Sequence, residues 1–128
     1  MDRYLIGIDV GTGSARAGVF DATGAALGTG KCDIAMHRPD GVIAEQSSAQ
    51  IWDAVCTATR AAVAQAGIDP ARVAGIGFDA TCSLVVVGDM PLGVGDPAHP
   101  DRDIIVWMDH RAVDQAARIN AGGHDVLR

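Results

Sequence analysis

The sequence predicts an α/β domain with a mixed sheet. Three strand-like segments come first, then an amphipathic helix, two further strands, a loop, a strand and a second helix. This order of elements is typical of α/β folds. A chain of 128 residues can bury one hydrophobic core. Hydrophobic residues make up 48% of the chain and charged residues 20%, so the composition excludes disorder as the main state.

A meander of three antiparallel strands is predicted at the N-terminus. Residues 4–9 read as a buried strand that ends on a carboxylate, and residues 15–21 and 26–35 read as the second and third strands. A turn at 11–13 joins the first two strands, and a turn at 22–24 joins the next two. The glycines at 11 and 13 predict positive φ angles and exposed N–H groups in the first turn.

An amphipathic helix is predicted from Ser47 to about Ala66. Ser47 and Gln50 have the spacing of a capping box at its start, and Gly67 closes its end. Apolar side chains recur every three or four residues along it. Those expected in the core are Ile51, Trp52, Val55 and Val63.

The second half of the chain predicts shorter elements around a long loop. Strands are expected at 73–78, 83–87 and 103–107, with a Pro- and Gly-rich surface loop at 88–102. Asp109 is expected to cap a final helix that runs from about residue 110 to 120. Because residues 124–128 have no evident destination after that helix, we expect a truncated domain.

The net charge and the number of cysteines limit the classes of binding partner and the cellular compartment that we expect. Ten basic and sixteen acidic residues give a net charge of −6, which argues against nucleic acid or an anionic membrane as a partner. No apolar run approaches the roughly 20 residues of a membrane span, and the N-terminus lacks the pattern of a secretory signal. Cys32, Cys56 and Cys82 are odd in number and widely spaced, so a reducing cytoplasm is predicted rather than a disulfide framework or a zinc site.

The stretch Asp-Val-Gly-Thr-Gly-Ser-Ala-Arg at residues 9–16 has the chemistry of a phosphate site. Glycines let the backbone approach an anion, hydroxyls add donors, and a carboxylate at the strand end suits Mg²⁺. Asp9 is the expected magnesium and catalytic carboxylate. The expected phosphate contacts are Gly11, Thr12, Gly13, Ser14 and Arg16. The stretch at residues 9–16 is not a Walker loop, because no Gly-Lys-Ser/Thr follows and the turn leads into a strand. The alternative is a plain hairpin with an Asp-closed turn and a surface arginine.

These residues, together with segments 75–85 and 103–112, resemble the FGGY family of carbohydrate kinases. The resemblance covers essentially all 128 residues. It implies a ribonuclease-H-like fold of the actin/hexokinase/Hsp70 ATPase superfamily, with residues 1–128 as the N-terminal part of the first, sugar-binding domain. It also implies ATP and Mg²⁺ as cofactors. The general base and the adenosine site are expected beyond residue 128, so the fragment alone is expected to be inactive.

The resemblance also implies a set of sugar contacts. Short polar side chains on a turn supply the closely spaced donors and acceptors that a polyol needs, and an aromatic ring can pack on its C–H face. The implied residues are Asp79, Thr81, Cys82, Ser83, Trp107 and Asp109. Structural alternatives stay open: a turn cap for Asp79, a buried small hydrophobe for Cys82, a core tryptophan for Trp107 and a helix cap for Asp109.

The implied reaction is ATP-dependent phosphorylation of a primary hydroxyl of a ketopentose or pentitol. Segments 79–84 and 107–112 are most similar to ribulokinase-like pentulose kinases. L-ribulokinases typically have a sugar-contacting Lys where this chain has Met108, which favours D-ribulose or ribitol. The alternatives are a xylulose or other polyol kinase, a non-catalytic ATPase activator of the same superfamily, or a scaffold domain. A homodimer is left open.

Overall fold

The computed structural model describes residues 3–89 and 92–127. It contains seven strands and two α-helices within these ranges, and short 3₁₀ turns at Pro70–Arg72 and Asp125–Leu127. In chain order the elements are β1 (Tyr4–Val10), β2 (Ser14–Phe20), β3 (Ala26–Asp33), β4 (Glu45–Gln46), α1 (Ser48–Ala66), β5 (Val73–Ala80), β6 (Leu84–Val85), β7 (Ile104–Ile105) and α2 (Val113–Ala121).

The main sheet has four strands in the order β3-β2-β1-β5. Strands β1, β2 and β3 form the predicted antiparallel meander, and β5 lies parallel to β1. The α/β prediction with mixed pairing is therefore confirmed. A second, short sheet has the order β4-β7-β6, with antiparallel pairing throughout.

Helix α1 covers one face of the main sheet and packs mainly on β2 and β3. The core between them is built from small and branched side chains of the helix, the strands and the residue after β3. They are Ile6, Ile8, Ala15, Ala17, Val19, Ile34, Ala54, Val55, Ala58 and Ala62. Two glycines of β3 allow this close approach. A Cβ atom at Gly28 would lie 2.5 Å from the carbonyl oxygen of Ala62, and one at Gly30 would overlap the backbone of Ala58.

The predicted ends of α1 are confirmed, but one predicted core residue is wrong. The Ser47 hydroxyl accepts a hydrogen bond from the Gln50 N–H at 3.4 Å, and Gly67 ends the helix at a φ of 62°. The Gln50 side chain does not close a capping box; its oxygen accepts from the Ala35 N–H at 3.2 Å. Trp52 is 61% exposed, because α1 lies over β2 and β3 rather than over β5.

The structure corrects several local predictions, both for the turn at residues 11–13 and for the half of the chain after α1. Strand pairing at β6 and β7 is limited to two residues each, and β5 extends to Ala80. The positive-φ glycines in the described ranges do not include Gly11 or Gly13. Helix α2 begins at Val113, so Asp109 is not its N-cap. Of the predicted surface loop, residues 88–89 and 92–102 contain no helix or strand of the sheets, and Met90 and Pro91 lie outside the described residues. None of the described helices is long and apolar enough to cross a membrane.

Replacing Gly30 by Ala should strongly destabilise the fold. The added Cβ would overlap the carbonyl oxygen of Ala58 and lie 2.9 Å from the Ala62 nitrogen, and backbone atoms of a helix cannot move aside cheaply. Overpacking of this kind costs about 1–3 kcal/mol or more. Gly77→Ala is the matched control, because a Cβ there meets nothing within 4 Å. Urea unfolding of both variants checks this, and equal midpoints would contradict the packing argument.

Candidate functional site

Two predicted site segments meet at one edge of the main sheet. The turn at residues 11–13 follows the carboxyl end of β1, and residues 81–83 follow the carboxyl end of β5. Because β1 and β5 are parallel, both segments leave the sheet on the same side, the usual position for a ligand site in α/β sheets. The N–H of Thr81 donates to the carbonyl oxygen of Val10 at 3.2 Å and joins them.

A row of four charged side chains crosses the sheet beside this edge. Asp9 pairs in register with Arg16 on β2 and with Asp79 on β5, and Arg16 pairs with Lys31 on β3. All four line a shallow depression of about 760 Å³ on the face opposite α1. The Arg16 Nη1 atom lies 3.0 Å from the Asp9 Oδ2 atom, with both side chains at least half exposed.

This row is suited to a metal–phosphate group. Mg²⁺ is usually bound through one or two carboxylates together with substrate phosphates, and Asp9 and Asp79 provide two neighbouring carboxylates. Arg16 and Lys31 provide positive charge on the adjacent strands for phosphate oxygens. Arg16, predicted to contact phosphate, is held by Asp9 in this structure.

The glycine turn is closed by its own backbone. The Gly11 N–H donates to the Ser14 carbonyl oxygen at 3.0 Å, and the Gly13 carbonyl oxygen accepts from the Ile34 N–H at 3.0 Å. A Cβ at Gly11 would lie 3.3 Å from the Ser14 carbonyl oxygen, so this position favours glycine for space rather than for φ. Ser14 is buried, which leaves Thr12 as the more accessible hydroxyl of the turn.

Thr12 is held from two directions by residues distant in sequence. Its carbonyl oxygen accepts a hydrogen bond from the Nε2 atom of Gln46 at 2.8 Å, and Gln46 is buried. Its hydroxyl oxygen accepts from the indole Nε1 of Trp107 at 3.1 Å. The structure therefore brings the third predicted segment, around Trp107, against the glycine turn.

The expected sugar-contact segments are also joined to one another. The hydroxyl oxygens of Thr81 and Ser83 lie 3.0 Å apart, and the Ser83 oxygen accepts from the backbone N–H of Trp107 at 3.3 Å. Trp107 is 57% exposed and Cys82 is exposed, so the alternatives of a core tryptophan and a buried cysteine are wrong. Asp79 is exposed as well. A cavity of about 290 Å³ lies next to Thr81 and Ser83; its other walls come mostly from α1 and β5 and are largely apolar.

Next to the segment of Trp107 lies an ion-pair cluster of Glu45, Asp109 and Arg111, of which only Asp109 was a predicted site residue. Glu45 is only 2% exposed, and its Oε1 atom lies 2.8 Å from the Nη1 atom of Arg111. Arg111 also pairs with Asp109 at 2.9 Å. Asp109 accepts from the Ala44 N–H at 2.8 Å. Its other oxygen accepts from the Arg111 N–H at 2.9 Å. Both carboxylate oxygens are thus engaged within the protein, so Asp109 supports the segment that carries Trp107. The signal that could have found this cluster is the pair Glu45-Gln46 directly before the helix cap.

Hydrogen bonding sets the charge state of the Asp109 carboxyl. Desolvation by burial acts to raise its pKa, but the hydrogen bonds from Arg111 and from the Ala44 N–H outweigh it. The pKa of Asp109 is therefore lowered from 3.8 to about 2. The same hydrogen bond from Arg111 to Asp109 raises the pKa of the Arg111 guanidinium. The pair stays fully charged at neutral pH.

A further buried carboxylate, Asp103, was also missed by sequence reasoning. It accepts from the Ser48 N–H at 2.7 Å, and its other oxygen accepts from the Ser48 hydroxyl. Asp103 thereby ties the start of β7 to the first turn of α1, beside the favourable end of the helix dipole. A carboxylate directly before the apolar run 104–107 was the available signal.

Comparison with known proteins agrees with this architecture. The strand order and the two turns at one sheet edge define a ribonuclease-H-like domain, as predicted, and solved sugar kinases share it. A xylulose kinase from Brucella ovis superposes with a TM-score of 0.78 at 26% identity, over 94% of this chain and 24% of that chain. A xylulose kinase from Rhodospirillum rubrum has the same TM-score at 24% identity, over 94% of this chain and 23% of that one.

The chain belongs to the FGGY family of carbohydrate kinases, because residues 4–126 match the N-terminal domain of that family. It is similar to a D-ribulokinase from Saccharomyces cerevisiae, with 45% identity over 130 residues, which cover 98% of this chain and 18% of the relative. The chain thus spans about a fifth of the length of that curated relative.

Replacing Asp109 by Asn should destabilise the chain by about 1.5–3 kcal/mol, the contribution of hydrogen bonds to a charged group. The change removes one of the two carboxylates that pair with Arg111 and leaves Glu45 as the other. Asp33→Asn is the matched control, because it removes an ion pair with Lys31 in which both side chains are exposed; such pairs contribute little. Urea unfolding followed by tryptophan fluorescence measures both, and a wild-type midpoint for Asp109→Asn would contradict this role.

Acid should remove the same stabilisation. The pKa of Asp109 in the folded chain, about 2, lies below its ordinary value of 3.8. The stabilisation is therefore complete above a pH of about 4 and is lost as the pH falls toward about 2. We expect the free energy of unfolding of the wild type to fall more steeply across this window than that of Asp109→Asn. Parallel pH curves for the two proteins would refute the assignment.

Proposed function

We propose that this chain is the sugar-binding, N-terminal part of an FGGY kinase that transfers the γ-phosphoryl group of ATP to a primary hydroxyl of a ketopentose or pentitol. The observation that carries the proposal is the contact between the two expected half-sites: the hydroxyl of Thr12, in the phosphate turn, accepts from the indole of Trp107, in the sugar segment. Phosphoryl transfer relies chiefly on positioning and electrostatics, which such a contact provides.

On the phosphate side, each group has a distinct role. Asp9, with Asp79 beside it, would hold Mg²⁺ through carboxylate oxygens; the bound ion would neutralise charge on the phosphate oxygens. Thr12, Gly13 and the more buried Ser14 line the position of the phosphoryl group. Arg16 exchanges its contact with Asp9 for the phosphate.

On the sugar side, the exposed ring of Trp107 faces the C–H groups of the acceptor. Thr81 and Ser83, with oxygens 3.0 Å apart, offer hydroxyl contacts at the spacing of neighbouring sugar hydroxyls. Cys82 and Asp79 lie exposed beside them. Asp109 has an indirect role: through its ion pair with Arg111 it holds the segment that carries Trp107.

Among acceptors, D-ribulose is favoured. The 45% identity to a D-ribulokinase supports it, and so does Met108, whose thioether cannot donate a hydrogen bond in the position typical of a sugar-contacting lysine in L-ribulokinases. D-xylulose is the second candidate, because a xylulose kinase shares the fold at 26% identity. The three cysteines are free thiols, consistent with a reducing cytoplasm as the compartment.

Asp9→Asn in the complete protein that carries this chain should lower kcat by about 10²–10³-fold, as expected when one pre-positioned electrostatic group is lost. The measurement is ADP release with D-ribulose, D-xylulose, ribitol and glycerol as acceptors. Asp53→Asn, an exposed carboxylate on α1, is the control and should retain wild-type turnover. Acceptor-dependent ADP release that survives Asp9→Asn would overturn the proposed role of the turn.

A further inference from the structure

We propose that Trp107 is also a positioning residue for the nucleotide: its indole N–H directs the hydroxyl proton of Thr12 toward the phosphate. This inference rests on the proposed function. It assigns Trp107 a role beyond contact with the sugar and predicts that sugar and nucleotide binding are coupled through one hydrogen bond.

The direction of that hydrogen bond follows from chemistry. An indole nitrogen can only donate, whereas a hydroxyl can both donate and accept. At a distance of 3.1 Å between Trp107 Nε1 and Thr12 Oγ1, the Thr12 oxygen must therefore act as acceptor. Its single proton then points away from the indole and is available to another acceptor.

A phosphate oxygen at physiological pH is such an acceptor and needs a donor. A threonine hydroxyl that rotates freely would have to be ordered when the nucleotide binds, whereas one already oriented by the indole incurs less of that cost. The Thr12 backbone is fixed as well, because the buried side chain of Gln46 donates to its carbonyl oxygen at 2.8 Å. Main chain and hydroxyl of Thr12 are thus both set before the ligand arrives.

The same tryptophan is anchored to the sugar segment. Its backbone N–H donates to the Ser83 hydroxyl oxygen at 3.3 Å, while more than half of the residue is exposed. A sugar that packs on the exposed ring restricts the indole and, through it, the Thr12 hydroxyl. Acceptor binding should therefore tighten nucleotide binding, and by reciprocity nucleotide should tighten acceptor binding.

The test uses the complete protein and a non-hydrolysable ATP analogue with Mg²⁺, with affinity measured by calorimetry. Trp107→Phe keeps an aromatic ring and removes the N–H. Because one neutral hydrogen bond is lost, we expect analogue affinity to fall by about two- to twelvefold. Acceptor affinity measured by calorimetry without nucleotide should change by less than about twofold, because the ring remains. Trp52→Phe is the matched control: it removes the indole of an exposed tryptophan on α1 and should change neither quantity.

Variants of Thr12 test whether Trp107 affects the nucleotide through the Thr12 hydroxyl. Thr12→Val should weaken analogue binding at least as much as Trp107→Phe, and Thr12→Ser, which retains the hydroxyl, should restore most of the affinity. In a Thr12→Val background, Trp107→Phe should have no further effect, since the two changes remove the same contact. Thermal unfolding within a few degrees of wild type for each variant separates these effects from loss of fold.

The outcomes separate this inference from the proposed function. Wild-type analogue affinity in Trp107→Phe, or additive effects of Trp107→Phe and Thr12→Val, would overturn the inference even if the enzyme phosphorylates a pentulose. Weaker analogue binding in both variants, with non-additive effects, would support the inference even if none of the tested sugars is a substrate. The lack of a substrate among those sugars would count against the proposed acceptors only.

Discussion

The parallel pairing of β1 with β5 is the constraint on which the rest of the site depends. A parallel pair needs a crossover connection, and α1 provides it. The helix can pack closely enough on the sheet only because Gly28 and Gly30 have no side chain beneath it. With that packing in place, the carboxyl ends of β1 and β5 lie side by side, and the Thr12 turn and residues 81–83 share one edge. A charged row then follows from register alone, because Asp9 pairs with Arg16 and Asp79.

The short second sheet adds what the main sheet cannot provide. Strand β7 lies between β4 and β6 and carries Trp107 to the edge where the two turns meet. Two-residue strands contribute little stability by themselves, so the buried cluster of Glu45, Arg111 and Asp109 fixes this layer through charge-assisted hydrogen bonds. Because the cluster is largely buried, removing one of its charged side chains while leaving the others lowers the stability of the fold. The short sheet is thus held by this polar cluster together with a small apolar core of Ala44, Ile104 and Val106.

Agreement between sequence and structure is closest where the signals are local. The three-strand meander and both ends of α1 were predictable, because strand alternation, tight turns and caps depend on residues a few positions apart. The β4–β7 and β6–β7 pairings were less so, since Glu45 and Leu84 both meet Ile105 and no local pattern encodes that meeting. Trp52 was misplaced for a related reason: periodicity identifies an apolar stripe but not which strands lie beneath it.

The sequence by itself determined the α/β order of elements, the segments that carry the site and, through their resemblance to a known family, the chemistry those segments suggest. Only the tertiary structure decided the partners. It joined Thr12 to Trp107 across 95 positions and paired Arg16 with Asp9. It also made Asp109, expected as a sugar contact or a helix cap, a partner of Arg111. The physical reason is that caps and turns are satisfied within a few residues, whereas a side chain's hydrogen-bond partner is set by how distant elements pack, and that packing depends on the summed contacts of the whole core.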